Sequence, residues 1–296
     1  MRVMIRYEGT LYRPPSEADS LILQATIGCS YNRCTFCAMY RDKRFRVRPF
    51  AELEKEIAFA RQQFGGDVAK VFLADGDALV AKPSFLKAVC EALRGAFPRL
   101  RRISCYASPQ ALEIRSVEEM SDLRAAGLTQ YYLGIESGHD EVLARLDKGI
   151  DAAGLVRVAQ KAHAAGVKLS TMILLGAGGR ALSAAHALAS AAVVNAIAPR
   201  FVSTLVMTPV EGTPLFEEAR AGRVDDLDPF ELAVELRTFL AALDVDGVVF
   251  RSNHASNFLA LGGTLKKDQA ALVAALDAVI ARRDRSALRP DWSRGL

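Results

Sequence analysis

Three of the five cysteines, Cys29, Cys34 and Cys37, share one short run, Cys29-Ser30-Tyr31-Asn32-Arg33-Cys34-Thr35-Phe36-Cys37. Thiols crowded at C-x4-C-x2-C would strain a disulfide scheme, and in a reducing compartment such clustering points to metal or to catalysis. Three thiolates on one loop can grip three corners of an iron–sulfur cubane. Such clusters ordinarily take four thiolates, so this arrangement implies an outside fourth ligand. A zinc ion would want a fourth Cys or His close by, and none is present in the run. Unrelated buried cysteines are the plain alternative. Cys90 and Cys105 fall in a helical and a strand pattern and read as small buried apolar side chains.

Further residues suited to binding stand at the ends of apolar runs. Asp75-Gly76-Asp77 follows Lys70–Leu73. By itself it is an ordinary turn, or else carboxylates set to meet a cation beside a glycine that lets backbone come close. Gly134-Ile135-Glu136-Ser137-Gly138 ends another run, with Lys148 further along, and Leu174-Leu175-Gly176-Ala177-Gly178-Gly179 ends a third. After Val245–Phe250 comes Arg251-Ser252-Asn253-His254-Ala255-Ser256-Asn257. A turn explains Ser and Asn, which bond their own backbone, but does not ask for Arg and His together. If that run is a barrel-edge strand, Arg251 suits a substrate carboxylate or phosphate and His254 suits positioning or protonating the substrate. A structural turn is the alternative.

The elements that would hold these residues alternate as βαβ units do. Candidate strands are Leu21–Ile27, Lys70–Leu73, Arg102–Ala107, Gln130–Ile135, Lys168–Leu175, Phe201–Met207 and Val245–Phe250. Candidate helices lie near 50–64, 83–96, 116–126, 151–165, 181–195 and 229–243. Gly65-Gly66, Gly127 and Gly166 mark breaks between them. The pattern predicts an α/β fold, a partial (β/α)6 TIM-like barrel with a C-terminal extension. One domain is expected: residues 1–264 form the barrel with its lead-in and the seventh strand. Residues 265–296 add a helix, with Leu272, Leu276, Val279 and Ile280 on one face, and a polar tail from Arg282 that reads as poorly ordered.

With 51% apolar and 24% charged residues the chain has material for a large core. The net charge of +4 comes from dispersed Lys and Arg, which argues against a nucleic-acid partner. One basic cluster, Arg41, Lys43, Arg44, Arg46 and Arg48, follows the cysteine run and reads as a solvated turn or as the mouth of an anion site. No apolar run approaches the roughly 18 residues that span a bilayer, and Met1 to Tyr12 lacks an apolar signal core. The expectation is a cytoplasmic protein without a membrane partner.

The cysteine run resembles that of the radical S-adenosylmethionine (SAM) superfamily, whose commonest spacing is C-x3-C-x2-C with an aromatic residue before the last cysteine. Phe36 occupies that place, and one extra residue separates Cys29 from Cys34. The resemblance extends over about residues 20–216 and is similar in detail to the coproporphyrinogen oxidase-like and methylthiotransferase-like branches. It implies that Cys29, Cys34 and Cys37 bind a 4Fe-4S cluster. SAM would chelate the open iron and be cleaved reductively to a 5′-deoxyadenosyl radical that abstracts hydrogen from a small-molecule substrate. It also implies an electron donor such as flavodoxin or ferredoxin.

Carried onto this sequence, the Asp75-Gly76-Asp77 turn meets the SAM ammonium, Glu136 bonds the ribose, Lys148 pairs with the methionine carboxylate and the Gly176 strand end lies along adenine. A carboxylate accepts well from a vicinal diol, and Lys serves a carboxylate as a point charge; Lys148 equally suits a helix end. Thr208-Pro209-Val210-Glu211-Gly212-Thr213-Pro214-Leu215 resembles the Pro-Gly-Thr-Pro-Leu turn of the same branches and is assigned no chemistry. Transfer of a methyl or aminocarboxypropyl group from SAM is the enzymatic alternative, and a non-catalytic metal- or cluster-binding protein is the other.

Overall fold

The computed structural model describes residues 5–295, so residues 1–4 of the lead-in and Leu296 of the tail lie outside the described residues. In chain order it contains β1 (Leu21–Gln24), β2 (Thr26–Ile27), β3 (Arg46–Val47), α1 (Phe50–Phe64), β4 (Lys70–Ala74), α2 (Pro83–Ala96), β5 (Arg102–Tyr106), α3 (Pro109–Ile114) and α4 (Val117–Ala126). Then follow β6 (Leu128–Glu136), α5 (Asp140–Arg145), α6 (Ala152–Ala164), β7 (Lys168–Leu175), α7 (Gly179–Ile197), β8 (Phe201–Val206), α8 (Pro214–Arg220), α9 (Pro229–Ala242), β9 (Val249–Ser252), β10 (Leu261–Thr264) and α10 (Gln269–Arg282).

The main sheet runs β1-β4-β5-β6-β7-β8-β9-β10. The pairs β1/β4, β4/β5, β5/β6, β7/β8 and β8/β9 are parallel and β9/β10 is antiparallel. Strands joined by helices in this order make a partial TIM-like barrel, with β1 and β10 ending the order. The expected architecture is present.

Two compact units divide the chain: residues 1–32, 39–133 and 158–169 form the first, and residues 33–38, 134–157 and 170–296 the second. In the first, β4 is buried over Val71–Ala74 on both faces, as a parallel strand covered by helices must be. α1 contributes the stripe Leu53, Glu56, Ile57 and Ala60, and α2 contributes Leu86, Val89, Cys90 and Leu93, each at helical spacing. α4 starts on a capping box in which Ser116 and Glu119 satisfy each other's backbone N–H groups. The basic cluster is largely tied up locally: Lys43 bonds Asp75, Arg46 bonds Glu8, and Arg48 bonds Glu52 and Glu56.

In the second unit, α9 starts on a capping box of Asp228 and Glu231 and packs against α7 and α10. α7 corrects one expectation, because it is long and apolar enough to cross a membrane. Its apolarity is that of an Ala- and Val-rich crossover helix between β7 and β8, with Ala187, Ala191, Val194 and Ile197 buried.

The strand expected at Val245–Phe250 is displaced to Val249–Ser252. Asp246-Gly247 breaks the apolar run, with Gly247 at φ +68°, and β10 then pairs Leu261 with Ser252 and Gly262 with Arg251. The tail expected to be poorly ordered folds back instead. Arg289 Nη1 donates to the carbonyls of His254 and Ala255, and the Arg294 guanidinium lies 3.7 Å from the Phe258 ring centroid while donating to Ser256 O at 2.8 Å.

Candidate active site

In the first unit the start of the cysteine loop is fixed from β4. Asp75 is fully buried, and its Oδ2 accepts from Lys43 Nζ at 2.9 Å, from the Gly28 N–H at 3.1 Å and from Gln24 Nε2 at 3.2 Å. A single carboxylate oxygen therefore anchors the backbone immediately before Cys29. Asp75 Oδ1 is buried without a partner. Asp77 accepts from the Ser108 N–H at 3.0 Å and the Ser108 hydroxyl at 2.7 Å, and from Ser30 of the cysteine loop. Between them, Gly76 donates its N–H to Gly28 O at 3.1 Å. A Cβ on Gly76 would stand 2.4 Å from Cε2 of the buried Tyr40, so only glycine lets this turn lie against the loop. The two carboxylates thus shape the cysteine loop through protein partners, a role the sequence reading did not give them.

The loop's middle, residues 33–38, is pinned within the second unit. The Thr35 N–H donates to Leu146 O at 3.0 Å, Thr35 Oγ1 to Arg145 O at 3.1 Å, and the Leu215 N–H to Thr35 O at 3.0 Å. The turn to which no chemistry was assigned, Thr213-Pro214-Leu215, therefore helps hold the cysteine loop. Phe36 packs beside the cluster of Val142, Leu146, Leu174 and Ala177, with Leu205 and Met207.

Against this segment stand Glu136 and Lys148. Glu136 ends β6 at φ +65°, a left-handed conformation uncommon outside glycine and worth a functional explanation. Its Oε1 accepts from Lys148 Nζ at 2.9 Å, both side chains are buried, and Oε2 is buried without a partner. Gly134 lies two residues earlier on the same strand face, where an added Cβ would fall 1.9 Å from Glu136 Oε1. Burial pulls the Lys148 ammonium down, but Glu136 and then the Cys34 and Cys37 thiols outweigh it and hold it above its ordinary value. Burial likewise pushes the Cys34 thiol up, with Lys148 opposing. Cys34, Cys37, Glu136 and Lys148 accordingly form one electrostatic group.

Beyond Glu136 a buried network was not foreseen. Ser137 Oγ lies 2.8 Å from His186 Nδ1, and His186 Nε2 lies 3.0 Å from Leu174 O. A carbonyl only accepts, so Nε2 carries the proton and Nδ1 accepts from the Ser137 hydroxyl, which in turn accepts the His139 N–H at 2.9 Å. Glu235 of α9 accepts the Gly176 N–H at 2.7 Å through Oε1 and the Ser183 hydroxyl at 2.5 Å through Oε2. Its sequence signal is a charge on the apolar stripe of α9, among Leu232, Leu236 and Phe239.

Arg251 and His254 are placed with local partners. Arg251 is exposed on β9, and its Nη1 donates to Phe250 O at 2.7 Å. By register it shares a sheet face with Ser203 and lies opposite Gly262. His254 Nδ1 stands 2.9 Å from Ser256 Oγ and accepts the Ser256 N–H at 3.1 Å. The following Asn257 caps the end of β8 beyond its pairing with β9: its Oδ1 accepts the Val206 N–H at 2.9 Å and its Nδ2 donates to Thr204 O at 2.7 Å, bonds that a longer β9 would make.

No group of three His, Cys, Asp or Glu side chains among the described residues is gathered as around one metal ion. A cubane asks for a different arrangement, since each thiolate binds a different iron. Each unit by itself carries donors that fit that cluster and SAM: in the first, a glycine turn packed against the backbone just before Cys29; in the second, Cys34 and Cys37 on a segment pinned at Thr35, with a buried carboxylate oxygen left open on Glu136.

A strand-and-helix alternation of this kind, with its cysteine loop following the first strand, defines a radical SAM type of barrel, and the superfamily's profile, "Radical SAM superfamily", matches residues 23–179. The chain belongs to that superfamily. It is an enzyme whose cofactors are a 4Fe-4S cluster and SAM. The fold is similar to that of methylornithine synthase (PylB), with a TM-score of 0.54 at 17% identity over 87% of this chain and 68% of that one. The cobalamin-dependent SAM radical enzyme OxsB gives 0.57 at 15% identity, over 73% of this chain and 40% of that one. The radical SAM methyltransferase TsrM from Kitasatospora setae gives 0.55 at 20% identity, over 68% and 39%. The chain therefore spans about two thirds of the first and about two fifths of the other two. No curated protein matches the sequence.

Proposed function

We propose that the chain cleaves SAM reductively at a 4Fe-4S cluster held by Cys29, Cys34 and Cys37 and abstracts hydrogen from a small-molecule substrate. The observation that carries this reading is the grouping of Glu136 and Lys148 with Cys34 and Cys37, with Glu136 Oε2 buried and open. When bound, the cluster and SAM supply a carbon-centred radical; the protein supplies geometry. Lys148 holds the Glu136 carboxylate through Oε1, which leaves Oε2 to accept from the ribose diol. In this reading the Lys148 ammonium pairs with the methionine carboxylate, the Asp75-Gly76-Asp77 turn meets the SAM ammonium, and the Gly176 strand end lies along adenine. Phe36 seats the loop between Cys34 and Cys37 on apolar surface.

On the substrate side, Arg251 stands exposed on the same sheet face as Ser203 and is suited to a carboxylate or phosphate. His254 serves through the turn that it and Ser256 build. A one-electron donor of the flavodoxin or ferredoxin kind, in the reducing cytoplasm, completes the reading. Anaerobic reduction of the reconstituted protein with SAM tests it. 5′-Deoxyadenosine is the expected product, whereas methylthioadenosine or S-adenosylhomocysteine would favour aminocarboxypropyl or methyl transfer, and no SAM-derived product would favour a binding role.

A further inference from the structure

We infer that Glu235 is a positioning residue for SAM: it locks the Gly176 strand end and, through α7, belongs to the same buried network as the Ser137 segment that follows Glu136. The inference rests on the cofactor reading above and extends it to a helix outside the residues that the superfamily's profile matches.

The geometry is that of a cross-brace. Glu235 Oε1 takes the Gly176 N–H at 2.7 Å, Oε2 takes the Ser183 hydroxyl, and Oε1 lies 3.7 Å from His186 Nε2. His186 bonds Leu174 O, two residues before Gly176, and Ser137, one residue after Glu136. The Gly138 N–H donates to Ser190 Oγ at 2.9 Å, a further tie to α7. Both strand ends assigned to SAM are thus braced by side chains of α7 and α9. Burying a carboxyl is costly unless its oxygens are hydrogen-bonded, as both oxygens of Glu235 are.

Burial pushes the Glu235 carboxyl up to about 7, against the Ser183 and Gly176 bonds that pull it down. Of the charged groups on the helices packed against it, Arg180 of α7 is engaged by Asp225 and Glu231 and Asp277 of α10 by Arg237, and Arg282 stands in the last turn of α10. Charge-assisted hydrogen bonds are the stronger kind, so ionised Glu235 braces Gly176 more firmly than neutral Glu235 does.

The test compares the wild type, Glu235→Gln and Glu235→Ala as reconstituted holoproteins, measuring cluster content, SAM affinity at pH 6 and 8.5, and amide hydrogen exchange of the 174–178 segment. Gln keeps an acceptor for Gly176 and a polar partner for Ser183 but does not titrate. Expected are a roughly tenfold or greater loss of SAM affinity in Glu235→Ala, with intact cluster and faster exchange at Gly176. In Glu235→Gln, affinity should be near that of the wild type at pH 6 and fall below it at pH 8.5. Unchanged affinity and exchange in Glu235→Ala, or identical pH profiles for the wild type and Glu235→Gln, would overturn the inference; if Glu235→Ala does not fold, the profiles decide. Wild-type protein that bound no SAM would overturn the cofactor reading instead, and exchange at Gly176 would still report whether Glu235 holds the turn.

Discussion

Lys148 Nζ stands 2.9 Å from Glu136 Oε1, and this buried pair leaves Glu136 Oε2 open on a residue held in a left-handed conformation. The pair gives each residue a dependence on the other. Glu136→Ala leaves the Lys148 ammonium buried without its main counter-charge, and Lys148→Ala releases the carboxylate from its rotamer. Each loss of a charge-assisted hydrogen bond costs on the order of 1.5–3 kcal/mol, so SAM affinity is expected to fall by roughly tenfold or more in both variants. Calorimetric titration of the reconstituted proteins with SAM checks this, and unchanged affinity in both would remove the assignment.

Gly134→Ala is expected to act through Glu136 without touching the cysteines. The added Cβ would meet Oε1 at 1.9 Å, so the carboxylate must swing away from Lys148. Weaker SAM binding with full iron content is the expected pattern, read by titration alongside iron analysis.

Lys43 and Asp75 form the buried ion pair beneath the start of the cysteine loop. Breaking such a pair from one side costs about 3–5 kcal/mol because the partner is left charged and buried. Lys43→Met is therefore expected to lower the denaturant midpoint strongly, and the double variant with Asp75→Asn to recover part of the loss. Denaturation by urea, followed by circular dichroism, measures both.

Two buried titratable groups set opposite slopes of stability with pH. The His186 imidazole is pulled down by burial to about 4, so the unfolded chain binds its proton more readily and stability rises with pH up to the ordinary histidine value. The Glu235 carboxyl is raised to about 7, so the folded chain holds its proton longer and stability falls as pH rises from the ordinary carboxylate value to about 7. Across the shared window the slopes offset each other. Glu235→Gln removes one of them, so that variant should gain stability relative to the wild type on going from pH 5 to pH 8. A shift of this size corresponds to about 3 kcal/mol. Urea midpoints at the two pH values give the sign directly.

Much of this was legible in the sequence because the signals are local. The helices at 50–64 and 83–96 announce themselves by apolar spacing and flanking Pro and Gly, and β7 by the apolar run Met172–Leu175 that leads into Gly176. The cysteine loop and the segment around Glu136 carry their chemistry in contiguous residues. Lys43 under Asp75, Leu215 on Thr35 and Glu235 on Gly176 join residues far apart in the chain, and a turn or a helix stripe looks the same with or without such a partner. β10 escaped notice because Leu261-Gly262-Gly263-Thr264 has little strand character; it forms by pairing with β9. Arg282 onward looked like a loose tail by polarity, yet Arg289 and Arg294 spend their donors on the carbonyls of the turn at 254–257.

Whether Cys29, Cys34 and Cys37 hold a cluster at which SAM is cleaved is decided by anaerobic reconstitution of the wild type and the three single Cys→Ala variants. Iron, sulfide and 5′-deoxyadenosine are measured after reduction in the presence of SAM. About four irons and four sulfides per wild-type chain are expected, with 5′-deoxyadenosine formed, and loss of both cluster and product in every variant. A Cys34→Ala protein that kept a full cluster and cleaved SAM at the wild-type rate would contradict this assignment.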